Sequence, residues 1–302
     1  PTTTDATDLG QSPTAHAFLG ATAELPDGAQ LFTGRLSLDT HPWLADHAIL
    51  GAAVLPGAAV LDLILHAARY TGHEHVEEVT LHAPITLPDH GATRLRLTTS
   101  PTDDGAGKQV GRTEFVLHSQ PEASPHGSEW ILHATGSLTA LPTARGTEAG
   151  EATAWPPSGA TQVDVAELYQ HLADLGLDYG PAFRGMSAAW RQGDTVYAEI
   201  RLPDGLSADG HLLHPALLDA ALHTVFLTVG SRGEAPSRVL LPFSFTALTL
   251  HAALPSVLRV RLTSAGTAEA AEPSTFTLEL TDGEGRPVTT IGSFAVRPVS
   301  AR

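Results

Sequence analysis

Two short stretches of this 302-residue chain place proton-moving side chains in apolar surroundings. The first runs His47-Ala48-Ile49-Leu50-Gly51-Ala52-Ala53-Val54-Leu55-Pro56-Gly57. His47 is its one titratable group, nine residues ahead of a proline suited to open a helix. A buried imidazole resists charging and stays neutral, which is the form able to accept a proton. The plainer reading is a core histidine satisfied by one backbone hydrogen bond. Just beyond, the unpaired N–H groups of a helix start at Gly57 would suit an oxygen on which negative charge gathers. The second stretch is His214-Pro215-Ala216-Leu217-Leu218-Asp219-Ala220-Ala221-Leu222-His223. Asp219 and His223 are four apart and share one helix face. They could simply cap or solubilise a helix end. Amid leucine and alanine, however, desolvation is expected to raise the Asp219 pKa and keep the carboxyl partly protonated, as a general acid requires.

Other chemistries find less support. The chain has no G-x-S-x-G elbow, no H-E-x-x-H and no P-loop; Gly105-Ala106-Gly107-Lys108 lacks both the leading Gly and the following Ser or Thr. His73-Glu74-His75 reads as solvated residues on an exposed loop before a strand, so no metal site is expected. Zero cysteines excludes disulfides and thiol catalysis and fits a reducing compartment. With 17 Lys+Arg against 33 Asp+Glu, the formal charge of −16 argues against nucleic acid and anionic lipid as partners. Protonation of the 16 histidines would offset that charge below about pH 6.5. The apolar run from Ala48 to Leu61 is broken by Gly51, Pro56 and Gly57 and is too short to span a membrane. The first residues do not read as a signal peptide, and the ends are expected to be linkers of a longer polypeptide.

The elements that must position these residues follow from composition and periodicity. Hydrophobic residues make up 42% and charged residues 17%, enough for a sizeable core. The Ala/Thr/Gly/Pro-rich segment 141–161 reads as a linker between units 1–140 and 162–302. In the first unit, alternating or β-branched runs predict strands at 31–38, 76–87, 93–99, 112–119 and 130–138, with a helix from Pro56 to about Tyr70. In the second, Asp164 and Glu167 mark the start of a helix reaching Leu175. Strands are expected at 195–202, 239–250, 257–263, 275–280 and 288–296, a helix from Pro215 to Val229, and a hairpin turn at Asp282-Gly283 followed by Glu284-Gly285. Leu61-Asp62-Leu63-Ile64-Leu65-His66 and Leu218-Asp219-Ala220-Ala221-Leu222-His223 share Leu-Asp-x-x-Leu-His, which points to duplication. The expected class is α+β: two similar units, each a curved antiparallel sheet around one apolar helix.

The motifs together resemble the dehydratase (DH) domain of modular type I polyketide synthases. His47 to Pro56 matches H-x-x-x-G-x-x-x-x-P, and Asp219 to His223 matches D-x-x-x-Q/H. Gly176-Leu177-Asp178-Tyr179-Gly180-Pro181-Ala182-Phe183 resembles G-Y-x-Y-G-P-x-F, and Leu241-Pro242-Phe243-Ser244-Phe245 resembles L-P-F-x-W. The resemblance implies a double hotdog and loss of water from a 3-hydroxyacyl thioester to give a 2-enoyl thioester. His47 would be the base and Asp219 the acid, with Gly51, Pro56, Gly57, Tyr179, Gly180, Pro181, His223 and Phe245 supporting them or contacting substrate. Leu177 and Phe245 depart from the family's Tyr and Trp; Phe245 would keep an aromatic wall but not the indole N–H. The family implies no metal or redox cofactor, and a substrate on the phosphopantetheine arm of an acyl carrier protein. Neighbouring synthase domains and a second copy of the chain would be further partners, in the cytoplasm. Arg69, Arg184 and Arg191 are candidates for carrier docking. A pyran-forming cyclase, a double-bond-shifting domain and a non-catalytic docking domain are the alternatives.

Overall fold

Alternation of apolar and polar residues builds the dominant element. In the strand Val257–Ser264, Leu258, Val260 and Leu262 are fully buried while Arg261 faces out. The strand Thr195–Arg201 repeats the pattern with Val196, Ala198 and Ile200. Their antiparallel register sets Val196 against Leu262, Ala198 against Val260 and Ile200 against Leu258, so six apolar residues share one face. The computed structural model describes residues 6–103, 109–140, 154–229, 239–252, 256–265 and 275–299. Residues 104–108, and with them Gly105 to Lys108, lie outside that set, as do 141–153 of the expected linker.

Among the described residues, fourteen strands form one continuous antiparallel sheet, seven from Ser12–Thr139 followed by seven from Thr161–Val299. The halves join where His75–Leu81 pairs with Val239–Leu250, Val79 opposite Phe245 and Val76 opposite Leu248. Sequence patterning predicts a sheet for each unit but does not show that the two fuse edge to edge. Pairing two edge strands removes the exposed N–H and C=O rows that separate sheets would leave. The expected 76–87 strand ends at Leu81, and Ile85–Thr86 joins a separate small sheet. His82-Ala83-Pro84 intervenes, and a proline has no N–H for a ladder.

Helix α1 (Gly57–Tyr70) starts after Pro56 as expected, and every residue from Ala58 to Leu65 is buried. Burial all round marks a central helix with sheet wrapped about it. Helix α2 (Val165–Asp174) is capped by Asp164, whose carboxylate accepts from the Ala166 and Glu167 N–H groups. Helix α3 (Pro215–Leu222) is buried along its whole length and packs against α1. The single helix expected from Pro215 to Val229 is in fact two, α3 and then α4 (Thr224–Val229). At the break Thr224 Oγ1 donates back to the Ala221 carbonyl at 2.6 Å, and the Phe226 N–H turns to the His223 carbonyl three residues behind. The expected hairpin forms between Thr275–Thr281 and Pro287–Val299, with Gly285 of the turn at positive φ. The architecture is an α+β double hotdog. No helix among the described residues is long and apolar enough to cross a membrane.

Candidate active site

The His47 stretch folds as a hairpin, His47–Ile49 against Ala52–Leu55. Its two turn residues, Leu50 and Gly51, both have positive φ (52° and 79°), the geometry of a tight two-residue turn. Gly51 therefore shapes the turn and is not among the residues that line the cavity described below. The hairpin brings the Val54 carbonyl 2.7 Å from His47 Nδ1. A carbonyl only accepts, so Nδ1 carries the hydrogen and Nε2 presents its lone pair.

On the other side, Leu177–Tyr179 pairs antiparallel with the same strand, Tyr179 opposite His47. Asp46 locks this pairing: its carbonyl accepts from the Gly180 N–H (2.7 Å) and its carboxylate from the Ala182 N–H (2.8 Å). A Cβ on Gly180 would lie 2.4 Å from that carboxyl, so glycine is required for the close approach. Pro181 opens the short turn Pro181–Phe183, which sets Phe183 against the His47 ring at 5.1 Å. Asp46 does not stand out in the sequence beyond being the charged residue directly before His47.

Helix α3 supplies the other half. Asp219 and His223 are buried, and His223 Nε2 lies 2.9 Å from Asp219 Oδ2. The same oxygen is 3.7 Å from His47 Nε2. Tyr179 packs its ring 4.1 Å from His223 and 5.4 Å from His47. These groups border a cavity of about 230 Å³ at the junction of the two units, with Val54 and Gly57 from the front and Leu222 and Phe226 from the back. Gly57 begins α1, and no side chain caps that end. Pro56, Gly180 and Pro181 lie outside the cavity lining and act on the backbone around it.

Two expectations need correction. Phe245 is fully buried behind Phe294, 5.9 Å between rings, and it is Phe294 that lines the cavity. Phe294 and Val79, its register partners on the two flanking strands, share the inward face with Phe245 and cover it from either side. Asp219 does not have a raised pKa. Burial alone would lift it, but the charges of His47 and His223 and the His223 hydrogen bond outweigh burial and hold it below the ordinary carboxylate value. Arg184 is exposed, and its Nε donates to the Tyr179 carbonyl at 2.7 Å. Elsewhere the His47 pKa is lowered, chiefly by burial, and burial pushes the Tyr179 hydroxyl well up, so it stays protonated. His75 lies in a strand rather than a loop, and His73 and His75 bond different threonines, Thr71 and Thr249.

A hotdog pair with an imidazole from one unit and a carboxyl from the other at a shared cavity defines the class. The chain belongs to the polyketide synthase dehydratase domains. The family model described as polyketide synthase dehydratase domain matches residues 16–120, and that described as polyketide synthase dehydratase N-terminal domain matches 147–302. Among curated relatives, polyketide synthase GfsA of Streptomyces halstedii is 42% identical over 98% of the chain, which spans 4% of that protein's length. Among solved structures, the dehydratase domain from the terminal module of the rifamycin polyketide synthase is 37% identical with a TM-score of 0.85, covering 97% of this chain and 100% of that one. The bifunctional dehydratase-cyclase domain in ambruticin biosynthesis is 38% identical with a TM-score of 0.84, covering 94% and 96%.

Proposed function

We propose that this domain removes water from a 3-hydroxyacyl thioester to give the 2-enoyl thioester. The observation that carries the reading is the His47 Nε2 lone pair facing Asp219 Oδ2 at 3.7 Å within a largely apolar cavity. His47 Nε2 takes the α-proton as the Cα–H bond breaks. The electron pair forms the C=C bond as the β C–O bond breaks, and Asp219 gives its proton to the departing hydroxyl, which leaves as water. The proton on His47 then returns across the short gap to Asp219, restoring the pair without an outside donor. Charge gathering on the thioester oxygen is stabilised by the Gly57 N–H at the positive end of α1. His223 holds the Asp219 carboxyl, and Tyr179 packs the two histidines together.

With its pKa lowered in the free domain, Asp219 must gain its proton in the substrate complex. The working state carries one proton on the pair, placed on Asp219, and the acyl chain raises the carboxyl's pKa on binding by displacing water. The substrate would reach the cavity on the phosphopantetheine arm of an acyl carrier protein, within a cytoplasmic, homodimeric synthase containing further domains. The likeness to a dehydratase-cyclase favours one second reading, in which the enone closes to a pyran ring.

The test is incubation with synthetic 3-hydroxyacyl thioesters of both configurations, the products resolved by chromatography and NMR. Loss of the mass of one water, together with vinyl protons, supports dehydration. A substrate that also bears a distal hydroxyl separates the two readings, because the ring and its enone have equal mass but only the enone shows vinyl protons. Recovery of unchanged substrate in both configurations contradicts the reading.

A further inference from the structure

The front helix carries a buried carboxylate that the proposed dehydration does not use. Asp62, one turn into α1, is completely buried. Its Oδ1 accepts from the Leu212 N–H (2.9 Å) and the Leu213 N–H (2.8 Å) of the back unit. Its Oδ2 accepts from His16 Nε2 (3.0 Å) and from His211 Nδ1 (2.6 Å). Burial alone would raise the carboxyl's pKa; the hydrogen bonds and charges of the two histidines reverse that and bring it to about 2.

His16, Asp62 and His211 also have the donor types of a metal site. The hydrogen bonds speak against it. His16 Nδ1 accepts from the Phe18 N–H at 3.0 Å, so its hydrogen sits on Nε2, the atom that would have to offer a lone pair. Asp62 Oδ1 is already saturated by two backbone donors. The arrangement is a clasp between units.

The clasp closes on the residues that lead into α3. Leu212 and Leu213 run into His214, which is buried and caps α3 by accepting from the Ala216 N–H at 3.1 Å. The His214 carbonyl then takes the N–H groups of Leu217 and Leu218, the turn just ahead of Asp219. At its other end, α1 begins directly after the hairpin that holds His47. One rigid helix thus connects to both members of the pair.

We propose that Asp62 is a positioning residue for the reaction: by fastening the lead-in of α3 to α1, it sets the distance between His47 and Asp219. This rests on the reading of that pair as the reacting groups. A carboxylate displaced by about 1 Å from its working position loses on the order of 10²-fold in rate.

The test is Asp62→Asn, with His211→Gln as a second variant that keeps a side-chain N–H donor. Folding is checked by circular dichroism. Two readouts follow in the folded proteins: kcat and KM on a 3-hydroxyacyl N-acetylcysteamine thioester, and the NMR titration of the His47 ring, which reports the nearby Asp219 charge without any turnover. Expected are a kcat lowered roughly 10- to 100-fold for Asp62→Asn and less for His211→Gln, with KM changed under about threefold, and a displaced His47 titration in both. Should Asp62→Asn fail to fold, His211→Gln decides by the same two readouts. A folded variant with unchanged kcat and unchanged His47 titration overturns the proposal and leaves Asp62 a stabilising contact alone. If the wild-type domain turns over no such thioester, the functional reading fails, whereas the titration still decides the positioning role.

Discussion

Two carboxylates sit in matching Leu-Asp-x-x-Leu-His segments, one on the central helix of each unit, and their surroundings differ. Asp62 accepts four hydrogen bonds, two on each oxygen, and no part of it reaches the cavity. Asp219 accepts one from His223, has a second imidazole at 3.7 Å, and borders the cavity. The terminal histidines differ as well. His223 bonds its own aspartate, while His66 Nε2 is buried with no partner among the described residues, and burial takes its pKa down to about 4. A carboxylate whose lone pairs are all engaged is an anchor. One left with capacity, beside an imidazole and an apolar cavity, can exchange a proton.

The widest separation between the two should appear in rate. Asp219→Asn is expected to lower turnover by about 10²–10⁴-fold while leaving thermal stability near the wild type, since it removes a buried charge that few donors support. A melting temperature that collapses together with activity would make Asp219 a second anchor. Asp62→Asn should show the stability loss instead, about 3 kcal/mol in denaturant unfolding, because a charge-assisted donor pair loses its acceptor. An unaltered denaturation midpoint would remove the distinction from the other side.

Acid separates them next. The Asp62 pKa in the fold, about 2, lies under the ordinary 3.8, so the clasp's contribution is present above about pH 4 and is lost as the pH falls from 4 toward 2. That contribution is about 2–3 kcal/mol, and a plot of stability against pH should flatten over this window in Asp62→Asn. For the other pair, kcat/KM should be bell-shaped. Its alkaline limb should fall below pH ~6.5, because burial lowers the His47 pKa and the last proton leaves the pair there. A limb well above that value would contradict a desolvated His47. The smallest effect is expected at His223→Gln: the amide can still donate to Asp219, so less than a tenfold loss in kcat should follow. A loss as large as that of Asp219→Asn would give the His223 ring a proton-transfer role of its own.

Much of this was legible before folding because it is local. The α1 start at Pro56, the Asp164 cap and the alternating strands depend on neighbours in sequence, and the apolar company of His47 and Asp219 announces burial directly. What escaped depends on distant partners. Leu177–Tyr179 is too short to show a period, and its place beside His47 is set by Asp46 holding Gly180 and Ala182. The flanking leucines announce desolvation of Asp219, whereas nothing near it in sequence announces a second imidazole from the other unit. Asp62 looked like an echo of Asp219, since nothing near it in sequence names His16, His211 or the two backbone donors. For Phe245 the motif gives an inward aromatic but not the neighbours, Val79 and Phe294, that cover it.

The central claim is that His47 and Asp219 act as one unit across the junction of the two hotdogs. A double-mutant cycle tests it most directly, with kcat/KM on a 3-hydroxyacyl thioester measured for His47→Ala, Asp219→Asn and the double variant. Groups that work together lose their joint contribution when either is removed, so the double variant should be about as slow as the slower single one. Losses that multiply across the cycle would mean that the two residues act independently, and would contradict the account.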